Sequence, residues 1–178
     1  MNFLKFFFIG LLIIFNTSCS KEIIKESRLE EKSLNLQMIE AYEEGLSSLE
    51  GGDVLFSAKK FNEAEILYPQ SIWAPRAALM AAYSYYLQDY YGDAVAELER
   101  FIKVYPKHEN LNYAYFLLAT SYYEQIIDEK KDLQSLLKAK ENFLLIINNY
   151  PSTDYAIDAS FKLDLINDIL ASKEMYIG

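Results

Sequence analysis

From about residue 34 onward, apolar and polar residues follow one another with helical spacing, and three of the helix-patterned stretches close on the same dipeptide: Tyr68-Pro69, Tyr105-Pro106 and Tyr150-Pro151. Proline stops a helix because it lacks an amide hydrogen and its ring clashes with the preceding turn. Pro69 and Pro106 lie 37 residues apart and Pro106 and Pro151 lie 45 apart, so the stretches are units of an internal repeat. A similar run follows each proline: Gln70-Ser71-Ile72-Trp73-Ala74-Pro75-Arg76-Ala77, then Lys107-His108 to Ala114, then Ser152-Thr153-Asp154-Tyr155-Ala156-Ile157-Asp158-Ala159. About three residues of that run lengthen the turn between units beyond that of a standard helix-turn-helix repeat of roughly 34 residues.

Counted back from its proline, the first unit places Gly45, Gly52, Phe61, Ala64 and Pro69 on the Gly, Gly, aromatic, Ala and Pro positions of a tetratricopeptide motif. The second places Ala82, Tyr85, Ala94, Leu98 and Pro106 on its small, aromatic, small, large and Pro positions. In the third, Leu118, Ala119 and Tyr122 fit the first helix of a pair (A), while Ala139, Phe143 and Pro151 fit the second (B). About eight extra residues separate them. That insertion, within Gln125 to Leu136, carries Asp128, Glu129, Lys130, Lys131 and Asp132, which predicts a solvated loop. Small residues at Gly45, Ala82 and Ala119 let helix A approach helix B, whose Phe61, Leu98 and Phe143 fill the space between. One pair cannot bury its apolar face alone, and stacked pairs make a continuous core with the A helices on a concave surface. The predicted fold is all-α: a tetratricopeptide-repeat superhelix of about three helix pairs plus a C-terminal helix from Thr153 to about Lys173. That last helix has the A pattern and no B partner in this sequence, so it either caps the array or marks a shortened chain.

Met1 to Lys5 form a short positive start, and Phe6 to Phe15 an apolar segment too short to span a bilayer. Thr17 and Ser18 then precede Cys19, the only cysteine. The segment resembles a bacterial lipoprotein signal, cleaved before a cysteine that carries lipid, although Asn16 stands where such signals usually have Leu. A lone cysteine in apolar sequence is otherwise a small buried hydrophobe; its place at the end of a signal segment favours lipid attachment. Ser20, by resemblance to Gram-negative lipoproteins, implies transfer to the outer membrane, where Asp would imply retention at the inner one. The domains expected are a signal peptide over 1–18, a lipidated N-terminus and polar tether over 19–33, and the repeat domain over 34–178. With Cys19 acylated, no thiol remains for a disulfide or for thiol catalysis.

Composition narrows the function. A net charge of −9 opposes nucleic-acid binding, which needs clustered Lys and Arg, and there is no polybasic patch for anionic lipid. The 15 Tyr and 11 Phe are many for this length; tyrosine, with a flat apolar ring and a polar tip, suits both packing between helices and a half-wet peptide groove. His108, the only histidine, sits at the same offset after proline as Ser71 and Thr153, where Ser or Thr caps a helix, and reads as a turn residue. Gly51-Gly52 is an inter-helix turn and not a phosphate loop, and Glu30-Glu31 and Glu43-Glu44 are solvated helix faces. No catalytic constellation, metal site or cofactor is expected beyond the covalent N-acyl and S-diacylglycerol lipid on Cys19.

The run Trp73-Ala74-Pro75-Arg76-Ala77-Ala78-Leu79-Met80-Ala81-Ala82-Tyr83-Ser84-Tyr85-Tyr86, with Phe101-Ile102-Lys103-Val104-Tyr105-Pro106-Lys107-His108, Tyr122-Tyr123-Glu124-Gln125-Ile126 and Leu170-Ala171-Ser172-Lys173-Glu174-Met175, resembles the BamD family of tetratricopeptide lipoproteins. The likeness runs from about Leu36 to Gly178. It implies a lipid-anchored, non-catalytic component of the β-barrel assembly machinery on the periplasmic face of the outer membrane. Its implied role is to bind unfolded outer-membrane proteins and assist their insertion beside a BamA-like barrel protein and accessory lipoproteins. Family members usually continue for about two more repeats, which dock onto those partners. The A-helix positions that face the concave side give a candidate peptide groove of Tyr42, Leu46, Arg76, Leu79, Tyr83, Tyr86, Tyr113, Phe116 and Tyr123, flanked by Ile39 and Leu49, with Arg76 available for a carboxylate. Two other classes stay open: a periplasmic repeat lipoprotein that coordinates envelope or peptidoglycan proteins, and a lipid-anchored subunit that positions a catalytic partner.

Overall fold

A computed structural model describes residues 21–125 and 133–177, with side chains over 33–125 and 133–175. Among the described residues there are seven α-helices and no strand: α1 Lys21–Glu50, α2 Val54–Leu67, α3 Ala74–Leu87, α4 Tyr91–Val104, α5 Leu111–Glu124, α6 Gln134–Asn149 and α7 Asp154–Ile177. Each helix packs on the next along the chain, with lighter contacts from α3 to α5 and from α5 to α7. That is the contact order of stacked helical hairpins, with α1, α3, α5 and α7 as A helices and α2, α4 and α6 as B helices. The signal segment, Cys19 and the charged residues Asp128 to Asp132 of the insertion lie outside the described residues.

The small-against-large pattern sets the spacing within each pair. A Cβ built on Gly45 would come 2.9 Å from the Phe61 ring, so only glycine lets α1 and α2 meet with that ring between them. Ala82 opposite Leu98 and Ala119 opposite Phe143 repeat the arrangement in the next two cores. Phe61, Leu98 and Phe143 are fully buried, and side chains of this size each contribute about 1.5–3 kcal/mol on burial. Units 1 and 2 are also joined by a buried polar contact. Ser57 Oγ donates to the Gly45 carbonyl at 2.8 Å, Ser84 Oγ lies 2.8 Å from the Met80 carbonyl, and the two hydroxyls are 3.1 Å apart. Two protons thus serve three contacts, and neither hydroxyl is left without a partner.

The turns repeat as faithfully as the helices. After α1, Gly52 has φ +83°, and its amide and that of Asp53 donate to the Leu49 and Ser48 carbonyls. After α3, 37 residues on, Asp89 takes the same left-handed place with φ 61°, and the amides of Asp89 and Tyr90 donate to Tyr86 and Tyr85. Aspartate tolerates this backbone better than most residues with a Cβ. At the Tyr-Pro sites, Tyr68, Tyr105 and Tyr150 leave the helix at φ −144°, −118° and −131° with ψ 73°, 55° and 46°, out of the α region that a following proline disfavours. Their carbonyls accept from the amides of Ser71, His108 and Thr153 respectively. His108 is therefore a turn residue, packed edge-on against Phe101 at 5.4 Å.

Two details differ from the sequence expectation. Ser71 is not a helix N-cap: Trp73 holds that position, and Ser71 Oγ accepts the Trp73 amide inside the preceding turn, just as Nδ1 of the turn residue His108 accepts the amide of Asn110, which holds the N-cap position of α5. The long turn between units puts two residues between them and the helix start. The segment expected as a tether is also helical from Lys21. Its residues are mostly Lys, Glu, Ile, Leu and Arg without Gly or Pro, and extending an existing helix is far easier than starting one. The first buried side chain among those described is Met38.

Candidate peptide-binding groove

Two adjoining pockets open on the A-helix side and share Tyr42. The first, of about 260 Å³, is lined by Met38, Ile39, Tyr42, Glu43 and Leu46 of α1 and closed by Trp73. The second, of about 350 Å³, spans three A helices: Tyr42 of α1, Arg76, Leu79, Met80 and Tyr83 of α3, and Tyr113 of α5, with Asn110 at its edge. Tyr42 stands between them because Phe61 supports it from below, ring edge to face at 5.2 Å, and Trp73 packs on it from the side at the same distance. The alternation of small and large residues that builds the core thus also fixes the wall between the pockets.

Of the nine groove residues expected from the register, the structure gathers six around these pockets: Tyr42, Leu46, Arg76, Leu79, Tyr83 and Tyr113. Tyr86 is outside them, packed on Tyr91 at 5.7 Å. Phe116 is covered, 5.3 Å from Tyr155 of α7 and 6.2 Å from Phe143. Tyr123 lies under Lys162 of α7, whose ammonium is 4.6 Å from the ring centre. The helix that follows unit 3 therefore closes the far end of the groove. Leu49, at the near end, packs into the first core.

Besides Met38, Glu43 and Met80 on the A helices, the register missed two residues outside them, Trp73 and Asn110. Both belong to the run after proline, four residues beyond Pro69 and Pro106, which the sequence shows only as a lengthened turn. The recurrence of that offset was the available signal, since Tyr155 stands four residues after Pro151.

Charge in the groove is sparse. Arg76 lies beside the Trp73 ring, 5.4 Å from its centre, and its nearest carboxylate is Glu109 at 3.9 Å, a long and exposed pairing worth little. Its guanidinium is accordingly open to a ligand. Burial pushes the Tyr42 phenol up from its ordinary value, with Arg76 opposing, and burial raises Tyr113 strongly, with Tyr83 and Tyr155 adding to it. These hydroxyls stay protonated at neutral pH and act as hydrogen-bond donors on an apolar wall. Among the described residues, no group of three or more His, Cys, Asp or Glu is placed to hold a metal ion, and no helix is long and apolar enough to cross a membrane.

Comparison with known proteins agrees with this architecture. A family model described as YfiO, outer membrane lipoprotein, matches residues 35–178. A relative from Rickettsia prowazekii, "Outer membrane protein assembly factor BamD", is 40% identical over 137 residues, covering 77% of this chain and 55% of the relative. The protein of the same name from Caulobacter vibrioides is 37% identical over 137 residues, covering 77% of this chain and 45% of the relative. The chain thus spans about half the length of these two relatives. Among solved structures, the first TPR of Spaghetti (RPAP3) bound to the HSP90 peptide SRMEEVD superposes with a TM-score of 0.58 at 15% identity, over 77% of this chain and 95% of that one. The first TPR domain of human RPAP3 gives 0.58 at 17%, over 79% and 97%. At such identities the likeness speaks for the fold alone. A lipoprotein family model that takes in every described repeat, relatives 40% and 37% identical over most of the chain, and the likeness to solved TPR domains lead to one conclusion: the chain has a tetratricopeptide-type fold and belongs to the YfiO family of outer membrane lipoproteins, which includes the BamD assembly factors.

Proposed function

We propose that this chain is a receiving part of the outer-membrane β-barrel assembly machinery, a non-catalytic scaffold that binds extended, aromatic-rich segments of unfolded outer-membrane proteins and assists their insertion. The observation that carries this reading is the pair of adjoining pockets around Tyr42, with Arg76 on the rim of the second. An extended peptide alternates its side chains, so a segment lying along the A helices can seat one large apolar side chain beside Leu46 and Trp73. A C-terminal carboxylate then reaches the forked donors of Arg76. Acylated Cys19 anchors the scaffold to the periplasmic face of the outer membrane, where a BamA-like protein and accessory lipoproteins are its partners.

Capture of the protein from membranes in mild detergent, followed by mass spectrometry, tests the assignment. Recovery of a barrel-assembly subunit together with barrel precursors is the expected result. Recovery of peptidoglycan or other envelope proteins, or of a stoichiometric enzyme, with neither of the expected groups would overturn it.

A further inference from the structure

On the opposite face of the same two units, the B helices are joined by a charged cluster. Glu65 of α2 is buried, and Arg100 of α4 grips it with two bonds, Nη1 to Oε1 at 2.8 Å and Nη2 to Oε2 at 2.6 Å. Tyr105 donates its hydroxyl to Glu65 Oε1 at 2.7 Å, and Arg100 Nε donates to Glu97 Oε2 at 2.8 Å. Asn62 of α2 donates to Glu97 Oε1 at 3.3 Å, while its own side-chain oxygen is buried without a partner. The next unit differs at these positions. Counted from the proline of each unit, the positions of Glu65 and Arg100 are held one unit on by Ile102 of α4 and Leu145 of α6, both half-buried.

Stability alone does not account for the charged version. The Glu65 side chain is 9% exposed and that of Arg100 39%, and an ion pair of this kind gains little over a well-packed apolar pair. What a two-pronged Arg–carboxylate contact adds is a fixed distance and angle between the elements that bear it. Those elements are the outer edges of units 1 and 2. Their inner edges meet across the groove, where Trp73 of unit 2 packs on Tyr42 of unit 1. The two units touch through a core between these edges, so a change of separation on one side appears with opposite sign on the other.

We infer that the Glu65–Arg100–Tyr105 clamp is a positioning device that sets the width of the groove around Tyr42 from the far side of the repeat. The inference rests on the groove as a peptide site only for its effect on affinity; its effect on groove width does not require a ligand. Releasing the clamp lets the outer edges part and the inner edges close, which narrows the second pocket and covers Trp73.

Trp73 is the only tryptophan in this sequence, so its emission from this chain reports the groove directly. The decisive variant is Glu65→Ile with Arg100→Leu, which places at these positions the residues that the next unit carries there and removes the two-pronged contact that fixes the distance between the helices. The expected result is a melting temperature close to that of the native protein, a blue shift of Trp73 emission, and affinity about fivefold weaker for a synthetic peptide ending in a free phenylalanine carboxylate. Exchange of the charges, Glu65→Arg with Arg100→Glu, should return emission and affinity toward native values, and it also serves if the apolar pair does not fold. Unchanged emission and affinity in the apolar variant would overturn the inference, as would a swap that folds and restores neither. If the native protein fails to bind the peptide, the peptide reading of the groove falls, and the emission shift still decides the clamp.

Discussion

Tyr42, Leu79, Phe116 and Phe161 occupy one position of the repeat, 37, 37 and 45 residues apart like the prolines, yet the two ends of the array treat them differently. Near the start, Tyr42 and Leu79 line open pockets. Further along, Phe116 is packed under Tyr155 and Phe143, and Phe161 is 67% exposed. The cause lies in a second position, four residues after each proline, held by Trp73, Asn110 and Tyr155. Trp73 walls off one pocket, Asn110 is small enough to leave the next one open, and Tyr155 fills the space where a third would be. A repeat register therefore says which face a side chain joins, and the residue that opens the following unit decides whether that face is a groove or a core.

The support beneath the two ends should prove equivalent even though their surfaces are not. Phe61→Ala and Phe143→Ala are each expected to cost about 3–5 kcal/mol in urea unfolding, and a large inequality would show that one end is a looser structure. Only Phe61→Ala should also abolish peptide binding, because only that ring supports Tyr42. Tyr155→Asn, which copies the middle unit, should open a cavity over Phe116 and cost about 2 kcal/mol of stability, measured the same way. Its mirror image, Asn110→Tyr, should fill the second pocket. Peptide affinity measured by fluorescence anisotropy is then expected to fall about tenfold, with melting little changed; unaltered binding would mean that the peptide does not use that pocket. The smallest effect concerns the turns. Gly52→Ala meets nothing within 4 Å, so its expected cost of about 1 kcal/mol in thermal melting comes from the positive φ alone.

Much of the fold was legible because it depends on local pattern. Tyr-Pro ends a helix by its own chemistry, and Gly45 opposite Phe61 is a contact that spacing alone can suggest. The groove was legible only in part. Tyr86, Phe116 and Tyr123 share helix A with residues that do line pockets, but Tyr91, Tyr155 and Lys162, which cover them, are contributed by neighbouring helices. Trp73 and Asn110 were hidden because a lengthened turn carries no helical periodicity to mark which way its residues face.

The sequence by itself determined an all-helical array of paired units, its boundaries at the three Tyr-Pro sites, and the small and large residues that set helix spacing, because each of these follows from a proline, a missing side chain or a period within one unit. Which aromatic side chains stay open, and the joining of Glu65 to Arg100 across 35 residues of chain, were decided only by the tertiary structure. Both depend on how one unit is stacked on the next, and the relative placement of two units is fixed by all their contacts at once.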